Sequence, residues 1–565
     1  MSNLADLSAV ELVSAYKAKS LSPVEVTEAV ITRIEAYEPK LNALWAYDPD
    51  AARVSAKASE ARWGKGEPAG PIDGVPLTIK ENIATEGTAV PLGCAALPLK
   101  PAVADAPPAA RTREAGGVLL AKTTMPDLGM LSSGLSSFHK LARNPWDLNT
   151  NPGGSSAGAG SAGAAGYGPL HIGTDIGGSI RLPAGWCGLV GLKPSFGRIP
   201  IDPAFLGRVA GPMTRTVADS ALYMSVLSRP DRRDGMSLPQ QDIDWMNLGI
   251  DVKGLKIGLW LDAGFGEEVG EETKAAVEAA AKLFADAGAI IEPVAPFLNR
   301  TMIDGLDRFW RARSWSDIKK MTPENRAKIL PYIYQWTERA EGLSGEEVYL
   351  GFAQMDAMRN AALAASKGFD FIISPTAPMP TYPAEWASPV NDPQRPFEHI
   401  AFTVAMNMSE QPAISINCGY TSTGLPSACR FSASASTISA CCGWQRLMKR
   451  CGPCRSHGQS SRFRLWLPAN GVALRFRCSC TLSTLRSGSR VPPFSATHRR
   501  NQSRRNKKAV SAAFLFLRAK RSTFLVTVHG GQLLDQRFGI APVVNLGAQI
   551  FELGSEFLFS DFRPP

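Results

Sequence analysis

The sequence predicts an α/β layer architecture, and three observations carry it. Short apolar runs bounded by Gly and Pro alternate along the chain with helical patterns. Of the 565 residues, 44% are hydrophobic and 20% charged, the balance of a globular protein. No internal repeat and no long polar linker interrupts the order before Pro426.

The elements follow in sequence. Ser8-Ala9-Val10-Glu11 and Ser22-Pro23-Val24-Glu25 are capping boxes that start two helices, with Pro23 at the first helical position of the second. Val26, Val30 and Ile34 form one stripe on that helix. Leu77-Thr78-Ile79 and Val118-Leu119-Leu120-Ala121 read as short buried strands. Leu255 to Trp260 is another strand, Glu272 to Ala287 an alanine-rich helix, and Ala289 to Pro293 the strand after it. Phe371-Ile372-Ile373-Ser374-Pro375 is a strand that ends in a turn. No run of about 18 apolar residues is present, so no membrane span is expected. The start, Met1-Ser2-Asn3-Leu4-Ala5-Asp6, lacks a basic segment followed by an apolar run, which predicts a cytoplasmic protein.

Charge divides the chain at one point. Residues 427–565 hold 22 Lys+Arg against 4 Asp+Glu, and residues 1–426 hold 39 against 47. Seven of the 10 cysteines also follow Pro426. Such a tail can bind nucleic acid through phosphates, or hold zinc at Cys451, Cys454 and His457, or arise from a shifted reading frame. The genetic code favours the third reading. Permitted codons for Ser427-Ala428-Cys429-Arg430-Phe431 read Val-Gly-Leu-Gln-Ile in the neighbouring frame. Those for Thr437 to Cys451 can likewise encode an amphipathic helix. The division is therefore 1–426 as the folded domain and 427–565 as a frameshift-derived tail without a defined domain. The tail's only apolar runs are short, Phe514 to Leu517 and Phe524 to Val528. Loss of a sheet strand and a packed helix predicts poor stability or no activity for the chain as written.

Chemistry concentrates between Gly153 and Arg181. The stretch opens Gly153-Gly154-Ser155-Ser156-Ala157-Gly158 and closes Gly173-Thr174-Asp175-Ile176-Gly177-Gly178-Ser179-Ile180-Arg181. A phosphate-binding loop would need GxxxxGK[ST], which is absent. Gly154 to Gly158 fits the G-x-S-x-G elbow, with Ser156 as nucleophile. That reading needs a histidine, and none of His139, His171 and His399 sits in a supporting motif. Upstream, Lys80 follows Val75, Leu77 and Ile79 in Asp73-Gly74-Val75-Pro76-Leu77-Thr78-Ile79-Lys80-Glu81-Asn82. A lysine buried among such neighbours loses its charge and becomes a base. A surface ion pair with Glu81 is the plainer alternative.

These motifs resemble the amidase signature family. The resemblance extends through Asn144 to Asp147, Cys187 to Pro194 and Gly211 to Asp219, and covers residues 8–426. Ala157 stands where the family often has Gly. It implies a mixed central β-sheet flanked by helices, and an amidohydrolase that cleaves a carboxamide C–N bond through an acyl-enzyme. By the same resemblance Ser179 attacks, Ser155 relays the proton to Lys80, and the Gly154–Ser155 peptide is cis. The amides of Ile176, Gly177, Gly178 and Ser179 would form an oxyanion hole. Asp175 and Arg181 would brace the loop, or be an ordinary ion pair. Ser156 would add a hydrogen bond, and Cys187 reads as a small buried residue. No metal or organic cofactor is implied. The expected partner is a small-molecule amide, with no nucleic acid and no membrane; a homodimer is compatible with the sequence. The pocket should draw on residues 125–135 and 300–420, with Trp310, Trp315 and Trp336 as an apolar wall. Two other readings stay open. One is the amidase subunit of a tRNA-dependent amidotransferase, which Tyr167-Gly168-Pro169-Leu170-His171 does not favour. The other is an inactive, binding-only relic.

Overall fold

The computed structural model describes residues 3–433. Among them, eleven strands form one mixed sheet. In chain order they are β1 (Leu44–Trp45), β2 (Pro76–Lys80), β3 (Val118–Thr123), β4 (Leu170–Asp175), β5 (Val190–Lys193) and β6 (Val209–Thr214). There follow β7 (Lys256–Leu259), β8 (Ile290–Pro293), β9 (Phe371–Pro375), β10 (Ala413–Tyr420) and β11 (Pro426–Ala433). Across the sheet they run β1-β3-β2-β4-β6-β5-β10-β11-β9-β7-β8. β2 lies parallel to both β3 and β4, and β7 parallel to β8 and β9. The strands between these two parallel groups pair antiparallel.

The expected elements appear at or within two residues of their predicted bounds. Both capping boxes close, at Ser8 with Glu11 and at Ser22 with Glu25. Val26, Val30 and Ile34 are buried. The central strands β2, β4, β5 and β6 are buried along their whole length, as strands covered on both faces must be. The helix Ala157–Ala165 contains only Ala, Gly and one Ser, so it can sit close against the sheet; Pro183 approaches where Gly160 has no side chain.

One expectation is corrected. The sequence reading has the chain lose a sheet strand after Pro426, yet Pro426–Ala433 forms β11, between β10 and β9. Cys429 and Phe431 alternate with Arg430 and Ser432 at a period of two, which suits a strand buried on both faces. The Arg430 guanidinium is accommodated by Ser374 Oγ, 3.0 Å from Nε, and by the Trp260 ring, 5.4 Å from Cζ. The expected helix pattern at 437–451 and the Cys451, Cys454 and His457 zinc reading lie outside the described residues. No helix among the described residues is long and apolar enough to cross a membrane.

Candidate active site

The site forms where the parallel strands end. Lys80 is the last residue of β2, and Thr174 and Asp175 end the neighbouring β4. The C-terminal ends of parallel strands are where open α/β sheets leave a crevice. Ser155 and Ser156 precede the helix Ala157–Ala165, and Ser179 lies in the loop between β4 and the helix Arg181–Trp186. The Gly154–Ser155 peptide is cis.

Lys80 is fully buried. Its Nζ lies 2.8 Å from Ser155 Oγ, 3.0 Å from Ser156 Oγ and 3.1 Å from Thr174 Oγ1. Burial lowers its pKa to about 7, against the opposing pull of Asp175 and Glu81. The alternative of an ion pair with Glu81 does not hold. The Glu81 carboxylate instead accepts the amide of Gly93 at 2.9 Å and contacts His139 Nε2.

Asp175 and Arg181 are both buried and joined by two contacts of 2.9 Å. Burial would raise the Asp175 pKa, but the Arg181 guanidinium outweighs it and holds the carboxyl far below its ordinary value. The same carboxylate accepts the amides of Gly178 at 2.8 Å and Ile180 at 3.2 Å. This is a brace on the loop rather than an isolated ion pair. It also departs from the oxyanion expectation at one position, because the Gly178 N–H donates to Asp175. The amides of Ile176, Gly177 and Ser179 have no acceptor among the described residues. Gly178 is required for its backbone: φ is +134°, and an added Cβ would lie 2.6 Å from Thr403 Oγ1.

Ser179 is half-buried and lines a cavity of about 630 Å³ together with Ser155, Thr174 and Gly177. The structure brings Lys80, Ser155 and Ser156 into one hydrogen-bonded group. It does not hydrogen-bond Ser179 Oγ to that group among the described residues. Ser179 is tied to it through its backbone, whose carbonyl accepts the Ser156 amide at 3.2 Å. Ser156 has no histidine partner among the described residues, which speaks against the elbow reading; His171 meets Thr78 and Gly168, and His399 meets Ser132. Cys187 is buried, with Sγ 3.4 Å from Pro152 O.

A family model described as Amidase matches residues 25–441. The chain belongs to the amidase family. It is an amide-hydrolysing enzyme. An acylamidase from Rhodococcus erythropolis is 32% identical over 436 residues, covering 75% of this chain and 91% of that protein. A glutamyl-tRNA(Gln) amidotransferase subunit from Alkalilimnicola ehrlichii is 32% identical over 443 residues, with 73% and 90% covered. Among solved structures, a bacterial aryl acylamidase of the amidase signature enzymes superposes with a TM-score of 0.72 at 29% identity, covering 78% and 96%.

Within this amidase fold the cavity takes Leu128 to Ser132 and residues from Trp310 to Ile400, inside the two predicted segments. Trp310 and Trp336 line it. Trp315 does not: its indole N–H is held by Glu341, and its ring packs edge-on to Tyr334 in a separate cluster. Sequence reasoning missed Leu92, Leu97, Phe205 and Arg208 in the lining, and Thr174 and Asn82 beside the lysine. Thr174 and Asn82 stood inside motifs already singled out, so their presence was visible, though their orientation was not.

Proposed function

We propose that the chain hydrolyses amides through Ser179, with Ser155 and Lys80 as its proton relay. The observation that carries this reading is the buried Lys80 amine against three hydroxyls. A neutral amine donates two hydrogen bonds and accepts one. Ser156 Oγ can give its proton to Thr174 O at 3.3 Å, and Thr174 Oγ1 can give its own to Asn82 Oδ1 at 3.5 Å. With Lys80 protonated its Nζ donates to Ser155 Oγ at 2.8 Å; once the amine is neutral its lone pair can accept the Ser155 proton, for which no other acceptor stands among the described residues. That polarity suits proton removal from Ser179.

In the acylation step Ser179 Oγ bonds to the carbonyl carbon, its proton passes to Ser155 Oγ, and the Ser155 proton passes to Lys80 Nζ. The amides of Ile176, Gly177 and Ser179 receive the developing oxyanion. Collapse breaks the C–N bond, and the proton returns through Ser155 to the leaving nitrogen. Water then attacks the acyl-enzyme by the same relay and releases the carboxylate. Leu128, Met130, Ile176, Trp310, Phe397 and Ile400 line the cavity and favour an apolar acyl or aryl group.

The test is Ser179→Ala against an aryl amide. Hydrolysis should vanish, together with the mass increment of the acyl-enzyme in the intact protein. Retained turnover would remove Ser179 as nucleophile. The frameshift reading of residues 427–565 is a separate proposal, supported by the composition break. A three-frame translation of the gene around codon 427 tests it, and absence of a helix-encoding frame there defeats it.

A further inference from the structure

The cavity that contains Ser179 is mainly apolar, yet it carries two arginines, Arg208 and Arg313. Arg208 immediately precedes β6, and Arg313 lies within the helix Arg300–Ile318. The Arg313 guanidinium sits over Phe205, with Cζ 4.7 Å from the ring centroid. One Arg208 nitrogen donates to Pro203 O. Among the described residues, no carboxylate forms an ion pair with either guanidinium. The nearest candidate by sequence is Asp317, one turn beyond Arg313. It lines the same cavity and attracts Arg313 through its charge, but it forms no ion pair with that guanidinium; it is exposed and lies 3.8 Å from Lys320. Asp234, which faces Arg208 electrostatically, is engaged by the amides of Ile201 at 2.9 Å and Met236 at 2.8 Å.

Arg62, Arg181, Arg300 and Arg359 each meet a carboxylate at hydrogen-bond distance. Arg198 and Arg215, like Arg208, are held by carbonyl or amide oxygens, so what sets Arg208 and Arg313 apart is their place in the cavity lining beside Ser179. Burial, then the charge of Arg208, lowers the Arg313 pKa. Two half-buried cations that disfavour each other gain from one anion placed between them, and a guanidinium fork suits a planar carboxylate. Phe205 holds the Arg313 plane at low cost in freedom.

We propose that Arg208 and Arg313 form a carboxylate-binding subsite, and that the preferred substrate is an amide with an apolar body and a carboxylate remote from the scissile bond. Its kinetic consequence rests on the Ser179 reading above. The binding consequence does not.

The test uses the full 565-residue chain. Two chromogenic amides are compared: the mono-p-nitroanilide of succinic acid, and the p-nitroanilide of butyric acid, which lacks the carboxylate. The succinic compound should be favoured in kcat/KM by about tenfold or more, mainly through KM. In Arg208→Gln and Arg313→Gln that ratio should fall by about tenfold. Arg313→Lys should restore part of it. Equal or better use of the butyric compound, or an unchanged ratio in both variants, overturns the subsite. The second arm measures calorimetric binding of the same two compounds to Ser179→Ala protein. Tighter binding of the succinic compound, weakened by Arg313→Gln, supports the subsite even if neither compound is hydrolysed. Equal binding defeats it whatever the nucleophile.

Discussion

An amine surrounded by three hydroxyls and touching no carboxylate, as Lys80 is, has lost water without gaining a counter-charge. The folded state therefore favours the neutral form, and the pKa falls to about 7. The relay works only when Lys80 starts unprotonated. Activity should thus rise with pH through about 7, and kcat/KM should show an acidic limb inflecting there. A profile flat from pH 5 to 9, measured on a neutral amide, would remove Lys80 as the base. Asp175 gives a second prediction at this scale. Asp175→Asn leaves the buried Arg181 without its counter-charge and loosens two loop amides. Loss of about 3–5 kcal/mol of stability is expected, read by denaturant unfolding. Val75, Leu77 and Ile79 are compatible with a buried Lys80, but by themselves they leave a surface ion pair the plainer reading; the family resemblance of the motif sets burial above it. The Gly178 amide was not legible. Which backbone N–H a carboxylate captures depends on loop torsions that no residue type announces.

Elements were more legible than contacts. A capping box or a run such as Phe371 to Pro375 is a local signal, and the structure places those boundaries where the residues predict them. Partners across the sheet are non-local. The order in which β10 and β11 insert between β5 and β9 cannot be read from periodicity. Trp315 shows the same limit, since helical spacing leaves open which neighbouring cluster a ring enters. β11 is the element where composition misled. Its Ser, Cys and Arg look unlike a central strand, yet Phe431 is fully buried and packs edge-on to Phe284 at 5.4 Å. Phe431→Ala should cost about 3–5 kcal/mol, since it empties a core site between the sheet and the helix Glu271–Asp286. An unchanged urea midpoint would show that residues 426–433 do not close the sheet.

At the scale of the whole molecule, three lysines among the described residues, rather than one, are taken out of water. Lys80, Lys122 and Lys193 are all buried, and burial lowers each pKa to about 7. In the unfolded chain each returns to its ordinary value of 10.5. Between these limits the unfolded state binds more protons than the folded one, so stability must rise with pH. Each lysine contributes a slope of at most about 1.4 kcal/mol per pH unit. The other groups named here act mainly outside the part of this window between pH 7 and about 9. Glu38 and Asp219, raised by burial to about 7 and about 6, weaken the fold as pH climbs towards those values and no further above them. His171 and His399, lowered by burial to about 3, add stability only as pH rises to their ordinary 6.5. Cys94, raised to about 11, and the buried tyrosines begin to oppose only from about pH 9. The thermal midpoint should therefore climb from pH 7 to about 9, where many proteins are already declining. Lys193 separates this effect from catalysis. Among the described residues its amine meets only Pro194 O, at 3.1 Å, and lies outside the cavity lining. Lys193→Met should raise the midpoint at pH 7 and cut the pH slope by about a third. A midpoint that falls over this range, or a slope untouched by Lys193→Met, would mean that the buried amines keep their protons in the folded protein, and the neutral base at position 80 would fall with them.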